Sequence, residues 1–491
     1  MRTRVLVGGL SSALLFAACG DDAVLSVESP HDAGALADVS ASDAAASITD
    51  GGRGDADTDG DAAPGPGIAV LEDGELAPGG ETTTVDVGAG AFTVQAANLS
   101  LARRGEFEAG LQFFQLPWVV APGRPEADGL GPTFHADSCL GCHARNGRGS
   151  LGTVLLRIGL GPNNVPDPNY GSQLQPFGIG GVSGEGTPVR TDVPVNHVRA
   201  DGTPVSLLGA RYEIANPSFG PFGADLRISP RIAPQIVGQG LLEAISDADV
   251  IAGADPNDED GDGISGRVHW VQEGGSARVG RFGWKAMHPS VESQTAAAFS
   301  EDIGITSSRF PDTNCPGAQS ACRAAPGGGT PELNASRLTV TVAYMRLLGV
   351  PTRRGGDTTE VLQGKALFTS VGCASCHRPS FRTRADAAEP ELANQLIWPY
   401  TDLLLHDLGD RLADHRREGD AGEREWRTPP LWGLGLVPVV NGARYLLHDG
   451  RARSIDEAIL WHDGEAAPSR LAYEKLSVTD QMRLRAFVES L

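Results

Sequence analysis

The sequence predicts a mainly α chain with irregular loops and small β elements, built as two domains of which the first carries a long insertion. Three observations predict it. Cys139-Leu140-Gly141-Cys142-His143 and Cys373-Ala374-Ser375-Cys376-His377 repeat one C-x-x-C-H pattern, once in each half of the chain. Apolar residues at helical spacing flank the second copy on both sides. The 64 glycines and 33 prolines among 491 residues ask for many turns between short elements.

A C-x-x-C-H run is the attachment signal for a c-type haem. Two thiols add to the vinyl groups, and the histidine that follows lies beneath the iron as proximal ligand. Two copies therefore predict two covalently bound haem c groups, one on Cys139, Cys142 and His143, the other on Cys373, Cys376 and His377. They also predict two cytochrome c-like domains, residues 67–355 with the insertion and residues 356–491.

The charge is uneven. The formal net charge is −22, and residues 20–66 hold eleven acids against Arg53 alone, which accounts for ten of those charges. The remaining body is moderately acidic. Nucleic acid is excluded as a partner, because its phosphates would be repelled.

Residues 1–19 read as an export signal. Arg2 and Arg4 precede an apolar run, Val5 to Phe16, too short to span a bilayer. Leu15-Phe16-Ala17-Ala18-Cys19 resembles a bacterial lipoprotein processing site with Cys19 lipidated; the alternative is an ordinary signal peptide cut nearby. Both place the protein outside the cytoplasm, where haem c is attached; a lipidated Cys19 would hold it on the periplasmic face of a bacterial membrane or at the cell surface. Residues 20–66, rich in Ala, Asp, Gly and Ser, bury too little apolar surface to fold and predict an acidic tether.

The body begins with alternation at 81–96, predicting a short hairpin, then a core segment at 107–120 carrying Phe113, Phe114, Trp118 and Val119. Arg145 and Arg148 follow the first motif in a glycine-rich turn and face either haem propionates or solvent. The insertion predicts strands at 151–160 and 204–214 and a helix at 235–254. Asp258, Asp260 and Asp262 then alternate as calcium ligands do, although His269 stands where an EF-hand needs glutamate. Cys315 and Cys322, left over from the haem and lipid assignments, predict a disulfide in an oxidising compartment. A helix at 332–348 and a linker at 349–356 lead to a helix at 361–370 that runs into the second motif. A closing helix at 476–491 places Met482, Leu484, Phe487 and Val488 on its apolar positions.

What fills each iron's sixth position decides the function, since a strong protein ligand makes an electron-transfer site and an open position admits substrate. With four methionines against eleven histidines, composition favours histidine.

Three segments carry a resemblance: Leu403-Leu404-Leu405-His406-Asp407-Leu408-Gly409, Trp426-Arg427-Thr428-Pro429-Pro430-Leu431-Trp432, and the run from Leu447-His448-Asp449-Gly450 to Ala458. Their order resembles the second domain of bacterial di-haem cytochrome c peroxidases, to which MauG-type enzymes are related. From about residue 100 onward, including Arg281 to Ala286, the chain is more similar to a branch called di-haem oxidoreductase or thiol oxidoreductase-like. The resemblance implies a sixth ligand fourteen residues after His448, which is His462 where the relatives have methionine or tyrosine. Bis-histidine ligation by His377 and His462 follows, with a lower potential; a surface His462 with Met482 as ligand is the alternative. His406 and His448 are expected to be structural or haem-edge residues. The first haem has no clear sixth ligand, with His197, His269 and His288 as candidates, and an open iron is implied there. Trp284 corresponds to a tryptophan between the haems, or to a packed core aromatic. Gln294 and Glu301, with Asp302 competing, correspond to a peroxide pocket.

The resemblance thus implies an exported di-haem oxidoreductase with one electron-transfer haem and one peroxidase-like haem. It would exchange electrons with a small cytochrome or cupredoxin and could form a homodimer. A non-catalytic di-haem electron carrier is the alternative. Thiol–disulfide chemistry without haem ranks last, because both motifs continue with histidine and no thioredoxin-like βαβ pattern surrounds them.

Overall fold

Two helix crossings built on glycine frame the molecule. A computed structural model describes residues 67–491; the export signal, Cys19 and the 20–66 tether lie outside them. Arg104–Gln115 packs on Ala335–Arg346, and Thr359–Ser370 packs on Val478–Ser490. At the first crossing a β-carbon on Gly110 would lie 2.0 Å from the Val340 carbonyl oxygen, and at the second one on Gly364 would lie 2.0 Å from that of Arg483. Glycine weakens a helix interior, yet here only glycine lets the backbones meet. Four residues on, Phe114 and Phe368 reach the histidines of the two motifs, with ring centroids 6.3 Å from His143 and 6.2 Å from His377.

The two C-terminal helices and Ala335–Arg346 begin at side-chain caps. Asn334, Thr358 and Ser477 each accept a backbone N–H from the first turn. Met482, expected on the apolar face of Val478–Ser490, is instead 49% exposed, while Leu484, Phe487 and Val488 are buried. Two further helices, Ile455–Trp461 and Ala467–Glu474, were not foreseen; Ser454 caps the first.

The fold is mixed rather than mainly α, with 31% helix and 19% strand. Among the described residues every sheet has two strands. Leu155–Leu160 pairs with Leu226–Arg231, and a 3-10 turn at Leu151–Thr153 takes the start of the expected strand. Pro204–Ala215 pairs along its whole length with Thr187–Val198, a partner hidden by Pro188 and Pro194. A two-stranded ribbon has only edges, where proline is tolerated.

Two expectations fail for local reasons. Residues 81–96 form no hairpin: turns at Gly80–Thr82 and Ala91–Thr93 break the alternation, and Thr84 and Gln95 bridge to Pro351 and Leu348 instead. The expected helix at 235–254 is two short ones, Gln239–Glu243 and Asp247–Ile251. Gly238 enters the first with φ +70°, and Ser246 ends the run by capping the second. Cys315 and Cys322 are disulfide-bonded.

Candidate functional site

Each C-x-x-C-H motif lines its own cavity. The C-terminal one, of about 140 Å³, is walled by Cys373, Cys376 and His377, by Phe368 and Leu431, and by His462. His377 donates from Nδ1 to the Tyr400 carbonyl at 3.0 Å, and His462 donates from Nδ1 to the Ala458 carbonyl at 2.7 Å. Both imidazoles are thereby fixed in the tautomer whose Nε2 lone pair is free, the form that binds a metal. Burial lowers both pKa values, that of His377 to about 4, so the rings stay neutral. His462 is placed by the end of the Ile455–Trp461 helix, where the chain turns extended.

Of the neighbouring histidines, His406 is held by two carboxylates, whereas the Nε2 of buried His448 has no hydrogen-bond partner among the described residues. His406 Nε2 lies 2.8 Å from Asp402 Oδ2, and its Nδ1 lies 2.8 Å from Glu465 Oε2 and 3.6 Å from Cys376 Sγ. Burial opposes protonation of His406, but the bonds to Asp402, Cys376 and Glu465 outweigh it and raise its pKa well above the usual range. His448 stacks on Trp426, centroids 3.8 Å apart, and lines neither cavity. Met482 also lines neither.

The N-terminal cavity is more than twice as large, about 330 Å³. Cys139, Cys142 and His143 share it with Trp284, His288, Gln294, Glu301 and Asp302. The helix Val291–Ala298 continues into a π-turn, Phe299–Ile303, of the kind that recurs at functional sites. That turn presents the two acids differently. Glu301 is ion-paired to Arg157, which also lies 3.4 Å from Glu418. Among the described residues the Asp302 carboxylate accepts only the Gln173 amide, at 2.9 Å, and burial pushes its pKa up to about 7. The Gln294 Oε1 atom is buried without a hydrogen-bond partner among the described residues. Burial holds the Cys139, Cys142 and Cys373 thiols up at about 12, so all three are neutral.

Of the three candidate histidines for the first haem, only His288 lines this cavity. His197 lines neither cavity and donates from Nε2 to Glu474 at 2.8 Å. His269 bonds Lys285 O through Nδ1 at 2.6 Å and accepts Asp420 N at Nε2, 3.2 Å away.

Trp284 lines the N-terminal cavity and packs on the C-terminal core. Its Nε1 donates to Ile232 O at 2.9 Å, and its carbonyl accepts Arg427 N at 2.9 Å. Pro429, two residues beyond Arg427, lines both cavities.

Two cations test whether haem fits. Arg148 and Arg427 line the larger cavity and are buried, at 6% and 7% exposure. Arg148 donates to Tyr445 O, Leu447 O and Gln235; Arg427 donates to Gly283 O and Thr428 O. Neither has a carboxylate partner among the described residues, and burial lowers both pKa values to about 10. A buried guanidinium served only by neutral acceptors calls for an anion. Haem propionates are such anions, so the donor set fits the group.

A family model described as "Di-haem oxidoreductase, putative peroxidase" matches residues 74–160 and 219–491. The chain belongs to this family. No curated protein and no solved structure matches it. Both C-x-x-C-H motifs lie in the matched stretches, as do Trp284, Gln294, Asp302 and His462. Membership in the di-haem oxidoreductases implies haem cofactors and an oxidoreductase activity.

In this di-haem oxidoreductase the acidic loop is arranged otherwise than expected. Asp255, Asp258 and Asp260 bring carboxylate oxygens within 4.8 Å of one another. Asp262 stands outside the trio and accepts the Ile264 N–H at 2.8 Å. Asp255 escaped notice because it breaks the alternation. Arg427 escaped it too, standing in the Trp426-to-Trp432 segment with no role of its own.

Proposed function

We propose that this chain is an exported di-haem c-type oxidoreductase whose two haems have divided roles. Cys373, Cys376 and His377, with His462 as sixth ligand, would hold the electron-transfer haem. Cys139, Cys142 and His143 would hold the substrate-reacting one. The paired helix crossings at Gly110 and Gly364 support a cytochrome c-like arrangement around each motif. The observation that carries the division is His462: it lines the smaller cavity with His377, its Nδ1 anchored in the same way.

Bound haem would supply one-electron chemistry, and peroxide activation where an axial position is open. The surrounding residues would do the rest. Asp302, with a pKa of about 7, can hold or release a proton beside the cavity near neutral pH. Gln294 offers an unpaired acceptor for a substrate O–H. Arg157 is ion-paired to Glu301, whereas the Asp302 carboxylate has no cationic partner among the described residues, so we assign the acid–base role to Asp302 rather than Glu301. Arg148 and Arg427 would hold propionates. Trp284, with Pro429, forms the contact between the pockets.

Cys19 would anchor the protein by lipid to the periplasmic face of a membrane, with a small cytochrome or cupredoxin as electron partner. A homodimer and a calcium ion at the Asp255, Asp258 and Asp260 loop belong to the same proposal.

A high-spin ferric signal that changes on adding hydrogen peroxide is expected, together with slower peroxide turnover in D302N. Two low-spin haems and no response to peroxide would sink the enzyme in favour of an electron carrier. The presence of His288 in the larger cavity is the observation that favours that second reading.

A further inference from the structure

Residues 161–218 fall between the two stretches that match the family. They contain the Thr187–Val198 and Pro204–Ala215 ribbon, whose far end grips the C-terminal half of the chain. Val195, Val205 and Leu207 pack into the core that contains Trp461. A β-carbon on Gly209 would sit 3.8 Å from the Trp461 ring.

The polar contacts at that end form a continuous line. His197 is 7% exposed. Its Nδ1 lies 3.4 Å from Arg411 Nη1, and a guanidinium can only donate, so the ring proton is on Nε2. From there His197 donates to Glu474 Oε1 at 2.8 Å, and the Ala200 N–H donates to Glu474 Oε2 at 2.7 Å. Glu474, 3% exposed, accepts Arg470 Nη1 at 2.9 Å. Arg470 Nε in turn donates to the carbonyl of His462 at 2.7 Å. Three side chains thus join the ribbon to the main chain of His462, just past the end of its helix. Each bond is buried or half-buried and involves an ionised partner, and such bonds are the strong ones.

We propose that the ribbon is a clamp on the C-terminal haem pocket, with His197 and Glu474 as positioning residues that act through Arg470 to hold His462 in register with His377. The clamp rests on His462 being the sixth ligand. It would bias the iron between six-coordinate and ligand-accepting states, and so govern exchange of the axial position with small neutral ligands.

The test uses the intact haem-loaded protein and carbon monoxide binding to its reduced form, with EPR of the oxidised form. H197A and E474A are expected to raise carbon monoxide affinity at the C-terminal haem about tenfold, the equilibrium shift that losing one charge-assisted hydrogen bond produces. Gln can present a side-chain N–H where His197 has Nε2, so H197Q should stay near wild type. The signal of the N-terminal haem should not move. If H462A leaves the low-spin signal of the C-terminal haem intact, the axial assignment fails and the clamp falls with it. If H462A abolishes that signal while H197A and E474A match wild type in affinity and EPR, the clamp alone is overturned. H197Q behaving as H197A also overturns it, because packing rather than the hydrogen bond is then what matters. E474Q replaces E474A if the latter fails to retain haem.

Discussion

Gly364 meets Arg483 backbone to backbone, so that a β-carbon on the glycine would stand 2.0 Å from the arginine's carbonyl oxygen. That contact brings together the helix that leads into the second C-x-x-C-H motif and the helix that closes the chain, with Phe368 and Phe487 packed at 5.1 Å beside it.

Gly364→Ala should therefore destabilise the protein even though alanine is the better helix former. Forcing the helices apart in a packed core costs about 1–3 kcal/mol. Chemical denaturation followed at the haem band checks this, and a G364A variant as stable as wild type would refute the crossing. G110A should behave likewise, through the Val340 carbonyl.

Replacing His462 tests the division of roles. H462A is expected to convert one haem from low spin to high spin and leave the other unchanged. H462M should introduce a near-infrared methionine–iron band and raise the potential of that haem. An unchanged EPR spectrum in both variants rules the ligand out.

Asp302 predicts a pH dependence with a definite sign. Its folded pKa, about 7, lies above the unfolded value near 3.8. The folded state therefore binds the proton more tightly, and stability falls as pH rises from about 4 to about 7. D302N should flatten that window in denaturation measurements. It should also remove the limb near neutral pH from the peroxide rate profile. A limb that survives the substitution must belong to another group.

Arg148 is a buried cation with neutral acceptors only. Its charge favours adding an electron to a haem beside it. R148Q is expected to lower the midpoint potential of the N-terminal haem and leave that of the C-terminal haem in place, as read by spectroelectrochemical titration. Equal shifts in both, or none, would show that Arg148 faces no propionate.

The sequence by itself determined what depends on neighbours along the chain. The two haem motifs, the helices before and after Cys373, and the leftover pair Cys315 and Cys322 were all legible, because local spacing decides them. The position of His462 was legible only as an offset from His448. The tertiary structure decided the rest. Asp302 and Glu301 are adjacent in sequence and equal in type, yet Arg157, from a distant strand, occupies Glu301 while burial raises the pKa of Asp302. His197, His269 and His288 cannot be ranked from the chain, since what separates them is which ring nitrogen is already bonded and by what. The ribbon at 187–215 looked like an isolated strand; only folding brings His197 to Glu474. Burial and hydrogen-bond partners are set by residues far apart in sequence, and they choose among chemically similar side chains.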